Sequence, residues 1–322
     1  MVLVLTFPCR LLLLYYLILP LLLYVLDVII RVATFYLNHG TIVRTKPIGT
    51  DAVEIVCETW RRVPCGVGKY MFMCIPRFSI ESHPFSVLSY APAQSLGDQQ
   101  KGEPLVSMVH DSEEADGDAL RTASSGRDRI TFIVKANGNY TTRIVEKADA
   151  LVGRKVFLNG PYGRPSLVVE DYDHVLCIAG GVGITAILPF AELALSQSAS
   201  AVQNVKLVWS SRSPDLLSHL EDRIGQLKNS GCECVIRCTT NSSIVELADS
   251  EEERCLETGR IDLDSVFEES RDAVLSAKGS LLPRVAVFCC GPAALSLAVT
   301  NKCHKFSSMH VSFHLHDETF CL

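Results

Sequence analysis

The chain has 322 residues, a net charge of −6 and a hydrophobic fraction of 48%. That length suits one membrane segment and two globular domains, and the acidic balance argues against a nucleic-acid partner, because phosphate binding wants a basic surface. The thirteen cysteines are odd in number and scattered, unlike a secreted disulfide framework, and read as reduced thiols facing the cytosol.

The chain opens on "VLVLTFPCRLLLLYYLILPLLLYVLDVII", in which Val2–Val25 carries one charge, Arg10. About 20 apolar residues cover the hydrocarbon core of a bilayer, so residues 1–37 are expected to form a transmembrane helix. A signal peptide would need a positive start and a shorter apolar stretch. Pro20 is tolerated better there than in a soluble helix. Arg31, Arg44 and Lys46 follow the segment, which favours a cytosolic C-terminal body on a single-pass anchor. The sequons at Asn139 and Asn241 would then carry no sugar.

From Thr41 to Gly163 run short β-like segments: "GTIVRT", "DAVEIVCETW", "GKYMFMCIP", "PFSVLSYAP", "RITFIVKA" and "RKVFLNG". Their number and spacing predict a six-stranded antiparallel β-barrel over residues 38–165. The polar, acidic, serine-rich stretch 98–129 is expected to be a disordered insertion. Its carboxylates, Asp111, Glu113, Glu114, Asp116 and Asp118, read as a solvated loop, not a cation site.

From His174 the pattern changes. "HVLCIAGG", "VKLVWSSR", "CECVIRCTT", "RVAVFCCGP" and "HVSFHLHD" are strands, most of them separated by helical-length connections. The fold class over the whole chain is therefore α/β plus all-β, with a parallel sheet over residues 166–322. "DSEEERCLETGR" and "EESRDAVLSAKG" read as surface insertions or helices. Cys232, Cys234 and Cys238 would share a strand face but lack the ligand number and spacing of zinc, so no metal site is expected.

Five motifs carry chemistry. "HPFSV" (His83, Pro84, Phe85, Ser86) reads as a turn leading into a barrel strand. "VKANGNYTT" offers Lys135 and the hydroxyls of Tyr140 and Thr141 to a phosphate, or is a hairpin turn at Asn137 and Gly138. "NGPYG", with Gly160 and Gly163, lies where barrel meets sheet. "AGGVGITAILPFAEL" places Gly180, Gly181 and Gly183 before a helix starting at Ile184. It is either a tight turn or a cradle for pyrophosphate at the amides up to Thr185. "CGP" (Cys290, Gly291) ends a later strand, and Cys290 also reads as a small buried residue with no redox role.

In this order the motifs resemble the ferredoxin-NADP reductase superfamily, and more closely the C-terminal half of the ferric reductases and NADPH oxidases. "LPLLLYVLDVIIR" is similar to the last membrane helix of that branch, so the resemblance covers nearly the whole chain. It implies an FAD-binding barrel holding flavin at His83, Pro84, Phe85 and Ser86, with Lys135, Tyr140 and Thr141 on its phosphates. Lys135 and Tyr140 replace the Arg and Trp of the family motif. It implies NADPH on the α/β domain, with Arg212 of "VWSSRS" and Arg260 of "TGR" at the extra phosphate. Cys290 and Gly291 would lie at the nicotinamide, and Phe320 of "ETFC" over the flavin. Ser86 and Cys290 would flank hydride transfer from NADPH to FAD.

The implied acceptor is a ferric chelate; a superoxide-forming NADPH oxidase and a non-catalytic subunit with relic cofactor sites are the alternatives. In the family, haem is held by histidine pairs in several membrane helices. No histidine lies in the first segment here, so haem would come from missing helices or a partner membrane subunit, or electrons would pass to a soluble acceptor; a partial form of a ferric reductase is the expectation.

Overall fold

A computed structural model describes residues 3–37, 39–76, 82–92, 127–196, 202–239, 257–259, 261–276 and 283–318. Helix α1 (Leu3–Leu37) comes first. Its continuously described side chains run over Tyr16–Ile30 and are largely bare of protein, with Leu21, Leu22 and Leu23 each about 60% exposed. Among the described residues no helix is long and apolar enough to cross a membrane.

An antiparallel sheet follows. Its strands are β1 (His39–Ile48), β2 (Ala52–Thr59), β3 (Tyr70–Cys74), β4 (His83–Ser86), β5 (Ser89–Ala91), β6 (Arg129–Lys135) and β7 (Lys155–Tyr162), in the order β4-β3-β7-β1-β2-β6-β5. There are seven strands because "PFSVLSYAP" is bent. Its first half pairs with β3 and its second with β6. At the bend Val87 N–H donates to Lys69 O and Leu88 N–H to Thr131 O, each 2.9 Å. One segment thus touches both edges of the sheet and curls it around a core of Ile42, Val53, Ile55, Met73, Phe132 and Val156. His83-Pro84 is not a turn: it opens edge strand β4, where a proline's missing N–H costs no ladder bond. "VKANGNYTT" is not a hairpin either, because β6 runs through it into α2 (Asn139–Glu146).

The second sheet is parallel: β8 (His174–Gly180), β9 (Asn204–Ser211), β10 (Glu233–Cys238), β11 (Glu257–Thr258), β12 (Arg284–Cys290) and β13 (Ser312–Asp317), ordered β11-β10-β9-β8-β12-β13. Strands β8 and β12 are each buried at six consecutive positions, the continuous burial of strands covered on both faces. Helices α3 (Ile184–Leu195), α4 (Pro214–His219), α5 (Glu221–Asn229), α6 (Leu263–Ser276) and α7 (Ala293–Phe306) connect them. Of the two options for "EESRDAVLSAKG", its residues up to Ser276 take the helical one in α6, while "LETGR" supplies the short edge strand β11, paired to β10.

The two sheets share apolar packing. Ile48, Ala52, Leu88 and Ile133 from the antiparallel sheet join one core with Ile187, Phe190, Trp209 and Leu216. Polar contacts pin the same junction. His219 Nε2 on α4 lies 2.9 Å from Glu54 Oε2 on β2, and Arg223 on α5 donates to Leu88 O at 3.5 Å. Burial pushes the Glu54 carboxyl up, but the His219 hydrogen bond and the charges of His219, Arg44 and Lys46 outweigh it and hold it below the ordinary value. A depressed carboxyl stabilises the fold above its unfolded value and loses that contribution as pH falls through the folded one. Acid unfolding monitored by circular dichroism should therefore show stability falling below the ordinary glutamate range. Glu54→Gln should flatten that slope and cost about 1–3 kcal/mol at neutral pH.

Candidate functional site

The order of the parallel sheet reverses at β8. From there the chain proceeds outward through β9, β10 and β11, then returns to place β12 on the other side. Ligands of such sheets bind beyond the strand carboxyl ends at this switch point. The glycine turn ends β8 and "CGP" ends β12, so the topology brings the two motifs together. A Cβ on Gly183 would stand 2.3 Å from Cys290 O, and one on Gly180 would stand 2.8 Å from Pro292 Cδ. Gly291 fits the same way, its Cβ position 3.2 Å from Gly180 Cα.

Gly181 differs. It has φ +55°, and a Cβ there would meet no atom within 4 Å. Two of the three turn glycines are therefore required by packing against "CGP", and the third borders open space. Trp209 fixes that third residue: fully buried, it donates from Nε1 to Gly181 O at 3.0 Å. Residues Gly181–Gly183 form a 3-10 turn that leads into α3, and Ile184 N–H is bonded to Gly181 O and Val182 O, so the helix's first amide is already used. Thr185 is buried, and its hydroxyl donates to Val182 O at 2.9 Å, so it braces the turn. Arg212 is exposed at the end of β9, two positions past Ser210, the residue paired with Gly180.

Burial pushes the Cys290 thiol up to about 12, with Glu318 and Asp317 adding to the rise. It is a neutral thiol at pH 7, able to pack and to donate weakly but not to act as a nucleophile. The sequence reading missed Glu318 and His316. Glu318 N–H donates to Cys289 O at 2.8 Å, and its carboxylate meets His316 Nε2 at 2.8 Å. Ser166 N–H donates to His316 Nδ1 at 3.1 Å, which puts the ring proton on Nε2, facing Glu318.

On the antiparallel sheet, β4 alternates. Phe85 packs on the barrel core, and His83 stacks on Tyr140 with ring centroids 4.3 Å apart. Pro84 and Ser86 take the other face. Their partners on β3 are Phe72 and Tyr70. These two rings meet Tyr162 of "NGPYG" at 5.7 and 6.0 Å. The result is an aromatic shelf of Tyr70, Phe72 and Tyr162 beside Ser86. No motif singled out Tyr70 or Phe72; the signal was the alternation in "GKYMFMC". Gly163 follows the shelf, its carbonyl held by Lys69 Nζ at 2.8 Å, and Gly160 sits within β7.

The phosphate residues are placed differently from expectation. Tyr140 is buried, and its hydroxyl accepts from Ile75 N–H at 3.0 Å and faces Met73 O at 3.4 Å. Thr141 Oγ1 accepts from the amides of Asn137 and Gly138. Both hydroxyls are committed to the fold, because the chain enters a helix where a hairpin had been an option. What remains for a phosphate is the amide end of α2 and Lys135. That lysine pairs with Asp51 at 3.3 Å, about 40% exposed on both sides, a contact too weak to hold it against a better anion. Tyr140→Phe should lower stability by about 1–3 kcal/mol by orphaning the Ile75 amide. Flavin affinity, followed by fluorescence titration, should change little; a large loss would return the hydroxyl to the phosphate.

Arg260 and Phe320, the sequon at Asn241 and residues 98–126 of the acidic insertion lie outside the described residues. Among the described residues no group of histidine, cysteine or acidic side chains could hold a metal ion.

Residues 172–254 match the ferric reductase NAD binding domain. The chain is 28% identical over 171 residues to ferric/cupric reductase transmembrane component 2 of Schizosaccharomyces pombe, covering 48% of this chain and 30% of that protein. It is 25% identical over 288 residues to ferric reductase transmembrane component 5 of Saccharomyces cerevisiae, covering 82% and 35%. It is 24% identical over 295 residues to NADPH oxidase 4 of Pongo abelii, covering 87% and 46%. The chain thus spans less than half the length of these curated relatives. Among solved structures, a ferredoxin NADP+ reductase from Neisseria gonorrhoeae with bound FAD and NADP aligns at TM-score 0.56 and 13% identity, over 87% of this chain and 98% of that one. The CS-b5R domains of human Ncb5or align at TM-score 0.56 and 17% identity, over 87% and 69%. The fold is that of the ferredoxin-NADP reductases.

Proposed function

We infer, for a chain that carries a ferric reductase NAD-binding domain and has ferric reductases and NADPH oxidases as homologues, that it is an FAD-dependent NADPH oxidoreductase, delivering electrons to an acceptor outside itself. The observation that carries this reading is the Gly181 turn. It sits at the switch point of the parallel sheet, bordered by open space and braced by Trp209. A backbone concavity of that kind fits a pyrophosphate, and Arg212 beyond β9 fits the extra phosphate of NADPH.

The antiparallel sheet fits a flavin. The shelf of Tyr70, Phe72 and Tyr162 offers flat aromatic surface, Ser86 offers a hydroxyl beside it, and the amide end of α2 with Lys135 offers a phosphate site. FAD, when bound, takes two electrons from a nicotinamide and can release them singly. The protein orients and excludes water. Phe190 of α3 stacks on Phe288 at 4.1 Å and lies against Gly68, in the turn that leads into β3. Gly68 in turn adjoins Lys69, the partner of the Val87 amide next to Ser86. An apolar junction therefore links the two cofactor sites, with Cys290 and Glu318 on its parallel-sheet side.

The proposed domains are the anchor, residues 1–37, the FAD barrel, 38–165, and the NADPH domain, 166–322. The bare leucines of α1 support membrane anchoring, and Arg31, Arg44 and Lys46 after the apolar stretch favour both cofactor domains on the cytosolic side. α1 contains no histidine, so any haem on the route is held outside it. The acceptor proposed is a ferric chelate, following the reductase relatives. An oxidase is the alternative, since NADPH oxidase 4 is matched over nearly the same share of the chain as ferric reductase transmembrane component 5, 87% against 82%. Supplied with FAD and NADPH, the full chain should reduce a ferric chelate faster than it consumes oxygen; the reverse ratio assigns it as an oxidase.

A further inference from the structure

The end of the barrel next to α1 carries an aromatic and basic patch that the cofactor sites do not use. Trp60 is 62% exposed, at the end of β2. Its N–H donates to His39 O at 3.2 Å, and its ring stacks on His39 at 5.7 Å. His39 is the first residue of β1, which follows α1. The Arg127 guanidinium lies 5.2 Å over the Trp60 ring, and Arg61 and Arg62 are exposed beside it. Three arginines in an otherwise acidic chain make a local positive surface. Among the described residues the nearby acids are accounted for: Glu58 pairs with Arg129 at 2.9 Å, and Asp128 is 2% exposed.

The patch is rigidly held. Asp128 Oδ2 accepts from Val63 N–H at 2.8 Å and from Tyr90 Oη at 2.9 Å, and Thr59 N–H donates to Asp128 O. A buried carboxylate thus fixes the loop that presents Trp60 outward. An exposed tryptophan at the foot of an apolar helix, ringed by arginines, has the composition of a membrane interface, where the indole sits among headgroups and cations meet anionic lipid.

We propose that Trp60, Arg61, Arg62 and Arg127 dock the barrel onto an anionic phospholipid surface, a second membrane contact that orients the cofactor domains beside the anchor. This rests on the reading of α1 as the anchor. The chain has two tryptophans, and Trp209 is fully buried. The difference between the intact chain and Trp60→Phe therefore isolates Trp60 emission.

The full chain is reconstituted into phosphatidylcholine vesicles with and without phosphatidylserine, and brominated lipid serves as quencher. Trp60 emission should shift to the blue and be quenched only with phosphatidylserine, and high salt should reverse this. Arg61→Gln with Arg62→Gln should shift the docked fraction about 25-fold toward the free barrel, roughly fivefold per arginine. Trp60 that keeps water-like emission, or is shielded equally in both lipids without bromine quenching, overturns the proposal. Alkaline carbonate extraction separates the two readings. A carbonate-resistant chain with unquenched Trp60 refutes the patch and keeps the anchor. An extractable chain whose Trp60 is still quenched by anionic vesicles refutes the anchor and keeps the patch.

Discussion

Gly183→Ala should cost at least about 2–3 kcal/mol of stability, near the upper end for overpacking a tight site. Gly183 has φ −57° and ψ −17°, which any residue adopts, so the expected cost is wholly steric. The added carbon would stand 2.3 Å from Cys290 O and 2.8 Å from Cys290 C. Both are main-chain atoms of a central strand, and they can give only by parting the glycine turn from "CGP". Gly181→Ala should behave oppositely. Its added carbon meets nothing, but φ +55° costs an alanine about 1–2 kcal/mol. The carbon would stand in the space assigned to pyrophosphate, so NADPH affinity should fall more than stability does. Thermal melts and nucleotide titrations of the two variants check this. Equal loss of stability would mean that Gly181 also serves packing.

Arg212→Ala should raise the KM for NADPH about 10- to 100-fold, the equivalent of one charge-assisted hydrogen bond. The KM for NADH should barely move, because the lost charge would face only the extra phosphate. Arg212 is exposed on the loop leaving β9 toward α4, and the Ser213 hydroxyl accepts from Leu216 N–H to start that helix. Equal effects on both nucleotides would move the phosphate pocket elsewhere, with Arg260 the next residue to test.

Much of the architecture was legible because it rests on local pattern. Alternating and continuous apolar runs announced the antiparallel and parallel sheets, and the glycine turn announced the helix at Ile184. The order of strands was not local, and it gave the glycine turn its meaning. Only with β12 beside β8 does Gly183 meet Cys290. The placement of Tyr140 is not legible locally, because helix α2 turns its ring inward against His83 and Ile75 N–H donates to its hydroxyl. Tyr70 and Phe72 escaped notice because alternate aromatics read as core, and the face they take depends on β4 pairing beyond them. His316 and Glu318 gave no motif: their roles come from Ser166 and Cys289, each distant in sequence.

The most direct test of the account is anaerobic stopped-flow of the full chain loaded with FAD, mixed with NADPH or with NADH. NADPH should bleach the visible flavin absorbance rapidly, NADH far more slowly, and Arg212→Ala should narrow the gap. A chain that binds FAD but is bleached by neither nucleotide, or one that takes up no flavin, would contradict it.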